Sequence, residues 1–104
     1  MIKLPDAETF SDTNELRRSL IDACISLTEI GFFLGTWGNI GVRVKGGVLV
    51  TPSRINFSVM KVEDLVVVDW EGKKISGHRL PSSEMQVHRL VLKKRKDLGV
   101  CIHG

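Results

Sequence analysis

Leu80-Pro81-Ser82-Ser83-Glu84 is the most informative stretch of this chain. An apolar residue and a proline run into two hydroxyls and a carboxylate, and a helical pattern follows. That order places Ser82 or Ser83 at a helix N-cap, where free backbone N–H groups and the positive end of the helix dipole favour an anion. Glu84 then falls in the first helical turn, so an anion seat and a candidate acid/base group lie side by side. The plain alternative is a helix cap and nothing more. From Ser82 the helix is expected to bury Val87, Leu90 and Val91 and to stop around Asp97-Leu98-Gly99. Val100-Cys101-Ile102 then begins a further buried strand, and the sequence finishes at His103-Gly104.

Upstream, residues 1–12 read as a loosely ordered lead-in, and residues 13–104 as the folded unit. Leu16, Leu20, Ala23, Cys24, Leu27 and Ile30 recur at helical spacing, with Asp12 or Thr13 able to cap the start and Gly31 the end. The loop Leu34-Gly35-Thr36-Trp37-Gly38-Asn39 follows, where glycines allow close backbone approach and successive N–H groups can form an anion nest. It is neither a Walker A sequence nor a dinucleotide fingerprint. Trp37 is expected to pack within this loop. Ile40, Val42 and Val44 alternate along a strand, Lys45-Gly46-Gly47 turns, and Val48-Leu49-Val50 returns as a hairpin. Thr51-Pro52-Ser53 is a second hydroxyl-bearing turn. Residues 54–64 are irregular or a short helical turn. Leu65-Val66-Val67-Val68-Asp69 is a continuous β-branched run of the kind buried on both faces. Trp70-Glu71-Gly72-Lys73 turns it into a shorter strand near Lys74-Ile75. Helix, strands, helix, strand implies a sheet with helices packed on it.

The 104 residues suit one domain with a single modest core, and 42% hydrophobic with 26% charged residues is ordinary for a soluble protein. No apolar run approaches a membrane span, and Met1-Ile2-Lys3-Leu4-Pro5 lacks the h-region of a signal peptide, so the expected location is the cytoplasm, with no membrane partner. Cys24 and Cys101 are expected to be buried free thiols. The net charge of +3 owes much to Lys93-Lys94-Arg95-Lys96 near a helix end, where cations complement the dipole. Without an aromatic platform or a second basic cluster, no nucleic acid partner is expected. A core strand rarely closes a protein, because its backbone groups need neighbours on both sides. The expectation is that these residues are the N-terminal part of a longer chain.

Taken in order, the motifs resemble the class II aldolase/adducin family from about Glu15 to His103. Gly35-Thr36-Trp37-Gly38-Asn39 is similar to its G-T-x-G-N loop and Val50-Thr51-Pro52-Ser53 to its strand-end T-P-[ST]. Leu80-Pro81-Ser82-Ser83-Glu84 is similar to its L-P-S-S-E, and Val100-Cys101-Ile102-His103 to the start of its H-x-H. Each marker is weak alone, but the ordered set is specific. The resemblance implies a three-layer α/β/α sandwich with a mixed, mostly antiparallel sheet, interrupted here after a central strand. It also implies that Thr36, Gly38, Asn39, Ser53, Ser82 and Ser83 hold a substrate phosphate, that Glu84 is the acid/base carboxylate and that His103 is a metal ligand. Donors of those kinds suit a dianion. Arg54 departs from the family, which commonly has glycine there, and either adds charge to the seat or blocks it.

The activity so implied is a zinc-dependent retro-aldol cleavage of a ketose 1-phosphate, such as L-fuculose 1-phosphate, to dihydroxyacetone phosphate and an aldehyde. The metal polarises oxygens and the carboxylate moves the proton that cleavage requires. A catalytic zinc needs about three protein ligands plus an open position. Only His103 is in place, so Zn2+ is expected in the complete site and not in this chain alone, which is expected to be inactive. His88, four residues after Glu84, is expected to make a structural hydrogen bond, and His78 to be a turn residue. The family's 4-epimerases tend to carry aspartate where Glu84 stands, which favours aldolase. The alternatives are such an epimerase, a dehydratase, or a metal-free adducin-like assembly module. The resemblance also implies a homo-oligomer, a tetramer.

Overall fold

The computed structural model describes residues 4–104; residues 1–3 of the expected lead-in lie outside it. Helix α1 (Asn14–Glu29) is capped by the Thr13 hydroxyl, which accepts from the Leu16 N–H at 3.1 Å, and a turn at Ile30 and Gly31 ends it. In that turn Gly31 N–H donates to Thr28 and Phe32 N–H to Leu27, the Schellman pattern that satisfies the last helical carbonyls. Five strands follow: β1 (Asn39–Val44), β2 (Gly47–Val50), β3 (Val66–Asp69), β4 (Lys74–Ser76) and, after helix α2 (Met85–Lys94), β5 (Val100–His103). They form one sheet in the order β4-β3-β2-β1-β5, every strand pair antiparallel. Short 3-10 turns at Phe57–Val59 and Val62–Asp64 fill the irregular region between β2 and β3.

The helices lie on opposite faces of the sheet, which gives the expected three layers. On one face Leu20, Ile21 and Cys24 of α1 meet Ile40, Val42, Val44, Leu49 and Val67, with Phe33 and Phe57 closing the core. On the other, Leu92 of α2 packs on Val48, Val50, Val66 and Val68. Each of these fully buried aliphatics stabilises the fold by about 1.5–3 kcal/mol relative to exposure. The β3 run is buried on both faces, as its composition requires.

Strand β1 is also enclosed on both sides, although its sequence alternates. On the α2 side the partners are Asn39, Gly41 and Arg43. The Arg43 guanidinium donates to the carbonyls of Leu92, Arg95 and Leu98 and stacks over Trp70 at 5.1 Å from the ring centroid. A buried cation is thereby matched to the carbonyl-rich end of α2. The lead-in docks beside it: Ala7 N–H donates to Lys96, and Phe10 N–H donates to the Arg43 carbonyl.

Four expectations need correction. Helix α2 starts at Met85 with Glu84 at its N-cap, so neither Ser82 nor Ser83 caps it. The cause is the bridge between Pro52 and Pro81: Ser53 N–H donates to the Leu80 carbonyl and Ser82 N–H to the Thr51 carbonyl, which keeps residues 80–82 extended. In this helix His88 and Leu92 face the sheet, while Val87 and Leu90 are exposed and Val91 is half-buried. Strand β5 is not buried; it flanks β1 at the sheet's margin, and Cys101 on it is only half-buried. Trp37 does not pack in its loop but is 78% exposed, the core place being taken by Phe33.

Candidate functional site

Four segments meet at one end of the sheet. The first is the loop before β1. Phe33 is buried under it, and a Cβ on Gly38 would lie 2.3 Å from the Phe33 ring, so only glycine fits there. Trp37 N–H donates to the Leu34 carbonyl in the turn that brings Thr36 and Gly38 to the surface ahead of Asn39. Asn39 opens β1 and is 7% exposed.

The second segment is Thr51-Pro52-Ser53 at the end of β2. The buried Thr51 hydroxyl accepts from Ile40 N–H at 3.3 Å, and the Thr51 N–H donates to the Ile40 carbonyl, tying this turn to the start of β1. Arg54, next along, has φ 57°, the left-handed region that suits glycine. The third segment is the extended 80–84 stretch, bridged to the second. Ser82 is buried and its hydroxyl accepts from Glu84 N–H at 3.1 Å, while its carbonyl accepts from Met85 N–H at 2.9 Å. Arg79, 2.7 Å from Asp64, anchors the approach to this stretch, and exposed His78 lies 3.2 Å from the same carboxylate. Arg79 first, assisted by the Lys61 N–H, holds the Asp64 carboxyl below its usual pKa against the opposing effect of burial.

The fourth segment is the end of β5. Register pairs His103 with Asn39, on the side where α2 begins, and His103 Nδ1 lies 3.7 Å from Glu84 Oε2.

These segments enclose a cavity of about 670 Å³. Thr36, Gly38, Asn39, Ser53, Ser82, Ser83, Glu84 and His103 all line it, together with Arg54 and Trp37. The eight residues to which the resemblance gives site roles are therefore brought to one place. The wall is rich in hydroxyl, amide and backbone donors, the N-terminus of α2 opens on it, and Arg54 adds a cation, a combination that suits an oxyanion. Ser82 N–H is occupied by Thr51, so the serine pair presents hydroxyls and the remaining backbone rather than a bare helix cap.

One contact was not foreseen in full. His88, fully buried on α2, places Nε2 2.5 Å from Asn39 Oδ1. The signal in the sequence was its spacing from Glu84, which shows one helix face but not the partner. Desolvation, with the nearby His103 and against the Cys101 backbone, pushes the His88 pKa down to about 4.

The family model described as Class II Aldolase and Adducin N-terminal domain matches residues 18–104. The chain belongs to this family. It is 40% identical over 90 residues to the L-fuculose phosphate aldolase of Haemophilus influenzae, covering 86% of this chain and 41% of that protein. It is 35% identical over 91 residues to the L-ribulose-5-phosphate 4-epimerase UlaF of Salmonella paratyphi B, covering 86% of this chain and 40% of that protein. A solved L-fuculose 1-phosphate aldolase superposes with a TM-score of 0.83 at 34% identity, over 88% of this chain and 44% of the other. The chain thus spans about two-fifths of the length of the curated relatives it matches.

A catalytic zinc site in this class II aldolase/adducin domain would need about three protein ligands. Among the described residues no three metal-binding side chains converge. His103 and Glu84 together offer one imidazole and one carboxylate, which do not amount to such a site. No helix among the described residues is long and apolar enough to cross a membrane.

Proposed function

We propose that residues 13–104 form the N-terminal part of a class II aldolase-like domain, and that the whole protein cleaves a sugar phosphate by retro-aldol chemistry. The observation that carries this reading is the convergence of eight residues from four segments on one donor-lined cavity. In it, Thr36, Gly38, Asn39, Ser53, Ser82 and Ser83 hold the phosphate, with α2 behind them. Glu84 moves the proton on the carbon released when the C–C bond breaks. Zinc dependence belongs to the proposal: His103 is one ligand, and the others come from chain following Gly104 in a protein of the relatives' length. The 104 residues alone are then inactive.

A ketose 1-phosphate such as L-fuculose 1-phosphate, yielding dihydroxyacetone phosphate and an aldehyde, is the proposed substrate, because an L-fuculose phosphate aldolase is among the most similar relatives. We place the protein in the cytoplasm as a homo-oligomer, with a tetramer the family's common form. The test is product analysis on ketose phosphates in a protein of the relatives' length, with Glu84→Gln beside it. Cleavage that falls by at least about a hundredfold on Glu84→Gln supports the assignment. Full activity in the variant overturns the role of Glu84.

The similarity to a 4-epimerase favours a second reading, epimerisation of a ribulose phosphate at the same cavity. Glu84 rather than aspartate weighs against it. Accumulation of an epimer with no aldehyde in the same assay would establish it.

A further inference from the structure

We propose that His88 is a positioning residue that turns the Asn39 side-chain amide so that its NH2 group, not its oxygen, faces the cavity. The inference rests on the phosphate-seat reading above for its functional meaning, but its geometry stands without it. Asn39 Oδ1 lies toward the ring, 2.5 Å from Nε2, and an amide oxygen can only accept; in that orientation Nε2–H donates and Oδ1 accepts. With the oxygen held, the amide nitrogen is the free end. No described residue accepts from Asn39 Nδ2, and Asn39 lines the cavity.

The rest of the ring's surroundings agree. His88 is fully buried, and no hydrogen bond from its Nδ1 meets distance and angle limits among the described residues, although the Cys101 backbone favours the protonated ring. The close contact to Asn39 therefore outweighs the looser one to Cys101, and places the proton on Nε2 rather than on Nδ1. The ring is seated against Gly41, where a Cβ would come within 2.6 Å of His88 Cβ and 3.0 Å of Nδ1. The glycine on β1 thus lets α2 approach until the imidazole reaches Asn39. Burial keeps the ring neutral, so a single proton decides the tautomer.

The choice of tautomer sets the character of the cavity wall. With the proton on Nε2, a donor faces the cavity that Ser53, Ser82 and Ser83 also line. With the proton on Nδ1, Nε2 would accept from the amide and Oδ1 would face the cavity, repelling an anion.

Two measurements on the 104-residue chain test this. The first is the 15N spectrum of the His88 ring without ligand: a pyrrole-type Nε2 and a pyridine-type Nδ1 are expected, and the reverse overturns the proposal. It needs no variant. The second is titration with inorganic phosphate of wild type, His88→Leu and His88→Gln, the glutamine keeping an N–H near the place of Nε2. His88→Leu is expected to weaken phosphate binding about tenfold, His88→Gln by less than about threefold, and His88→Leu to add nothing in an Asn39→Ala background. Equal affinity of His88→Leu and wild type overturns the proposal. A wild type that ignores phosphate overturns the phosphate-seat reading and this role with it, whereas a pyrrole-type Nδ1 overturns this role alone.

Discussion

Pro52 and Pro81 face each other in an antiparallel bridge, and through it the turn after β2 holds the stretch before α2. Neither residue has an N–H to give, so the hydrogen bonds fall to the flanking Ser53 and Ser82. Helix α2 therefore begins only at Met85, and the hydroxyls of Ser53, Ser82 and Ser83 come to share one cavity.

Thr51 ties this clamp to β1, because its buried hydroxyl accepts from Ile40 N–H. Thr51→Val keeps the shape and leaves that N–H without a partner. The expected cost is about 1–3 kcal/mol in urea unfolding. A change below about 0.3 kcal/mol would show that the hydroxyl bond carries no weight.

Gly41 of β1 lies directly against His88 of α2. An alanine there would put its Cβ 2.6 Å from His88 Cβ, a clash with the base of a side chain that cannot rotate away. Gly41→Ala should cost roughly 2 kcal/mol or more. Unfolding midpoints for Gly41→Ala and for an alanine at the exposed, unhindered Lys45 make the comparison; equal values would contradict the packing described.

Arg54 holds a left-handed backbone, φ 57°, a conformation that favours glycine. That conformation costs a side-chain-bearing residue about 1–2 kcal/mol, partly offset by the greater unfolded-state freedom of glycine. Arg54→Gly is expected to stabilise the chain by about 0.5–1 kcal/mol. Destabilisation would mean that the Arg54 side chain makes contacts worth more than the strain.

Acid should weaken the fold in a defined window. The unfolded His88 takes up a proton near its ordinary pKa of 6.5, while the folded ring resists until about 4. Stability is thus full above about pH 6.5 and falls as pH drops toward 4, by roughly 3 kcal/mol at about 1.4 kcal/mol per unit. Asp64, held low by Arg79, adds a loss of the same sign as it becomes protonated at lower pH. Urea midpoints from pH 7.5 to 4.5 check this, and a flat profile would contradict it. At the alkaline end the buried Cys24 thiol, pushed up to about 12 from 9, keeps its proton when folded, so stability falls again as pH rises above 9.

Much of this architecture is legible in the residues themselves. The β-branched run at Val66–Val68 suggests a strand covered on both faces, as found, and Thr13 and Gly31 mark the ends of α1 as local chemistry dictates. The errors share one origin, which is that apolar periodicity does not say which neighbour an element meets. Val87 and Leu90 look like the core face of α2, but His88, seated against Gly41, and Leu92, on the valines of β2 and β3, meet the sheet instead. Trp37 looks like packing material, but Phe33 already fills the space beneath Gly38. At the site, the donor-bearing residues of each loop were readable singly; their convergence and the His88–Asn39 bond depend on register between β1, β5 and α2, which no single stretch encodes.

The most direct test of the phosphate seat is a backbone and side-chain amide NMR titration of the chain with dihydroxyacetone phosphate. The account predicts saturable shifts confined to Thr36, Gly38, Asn39, Ser53, Ser82 and Ser83, absent with unphosphorylated dihydroxyacetone. No shifts there, or shifts confined to the separate cleft lined by Arg43, Trp70, Lys93 and Lys96, would contradict it.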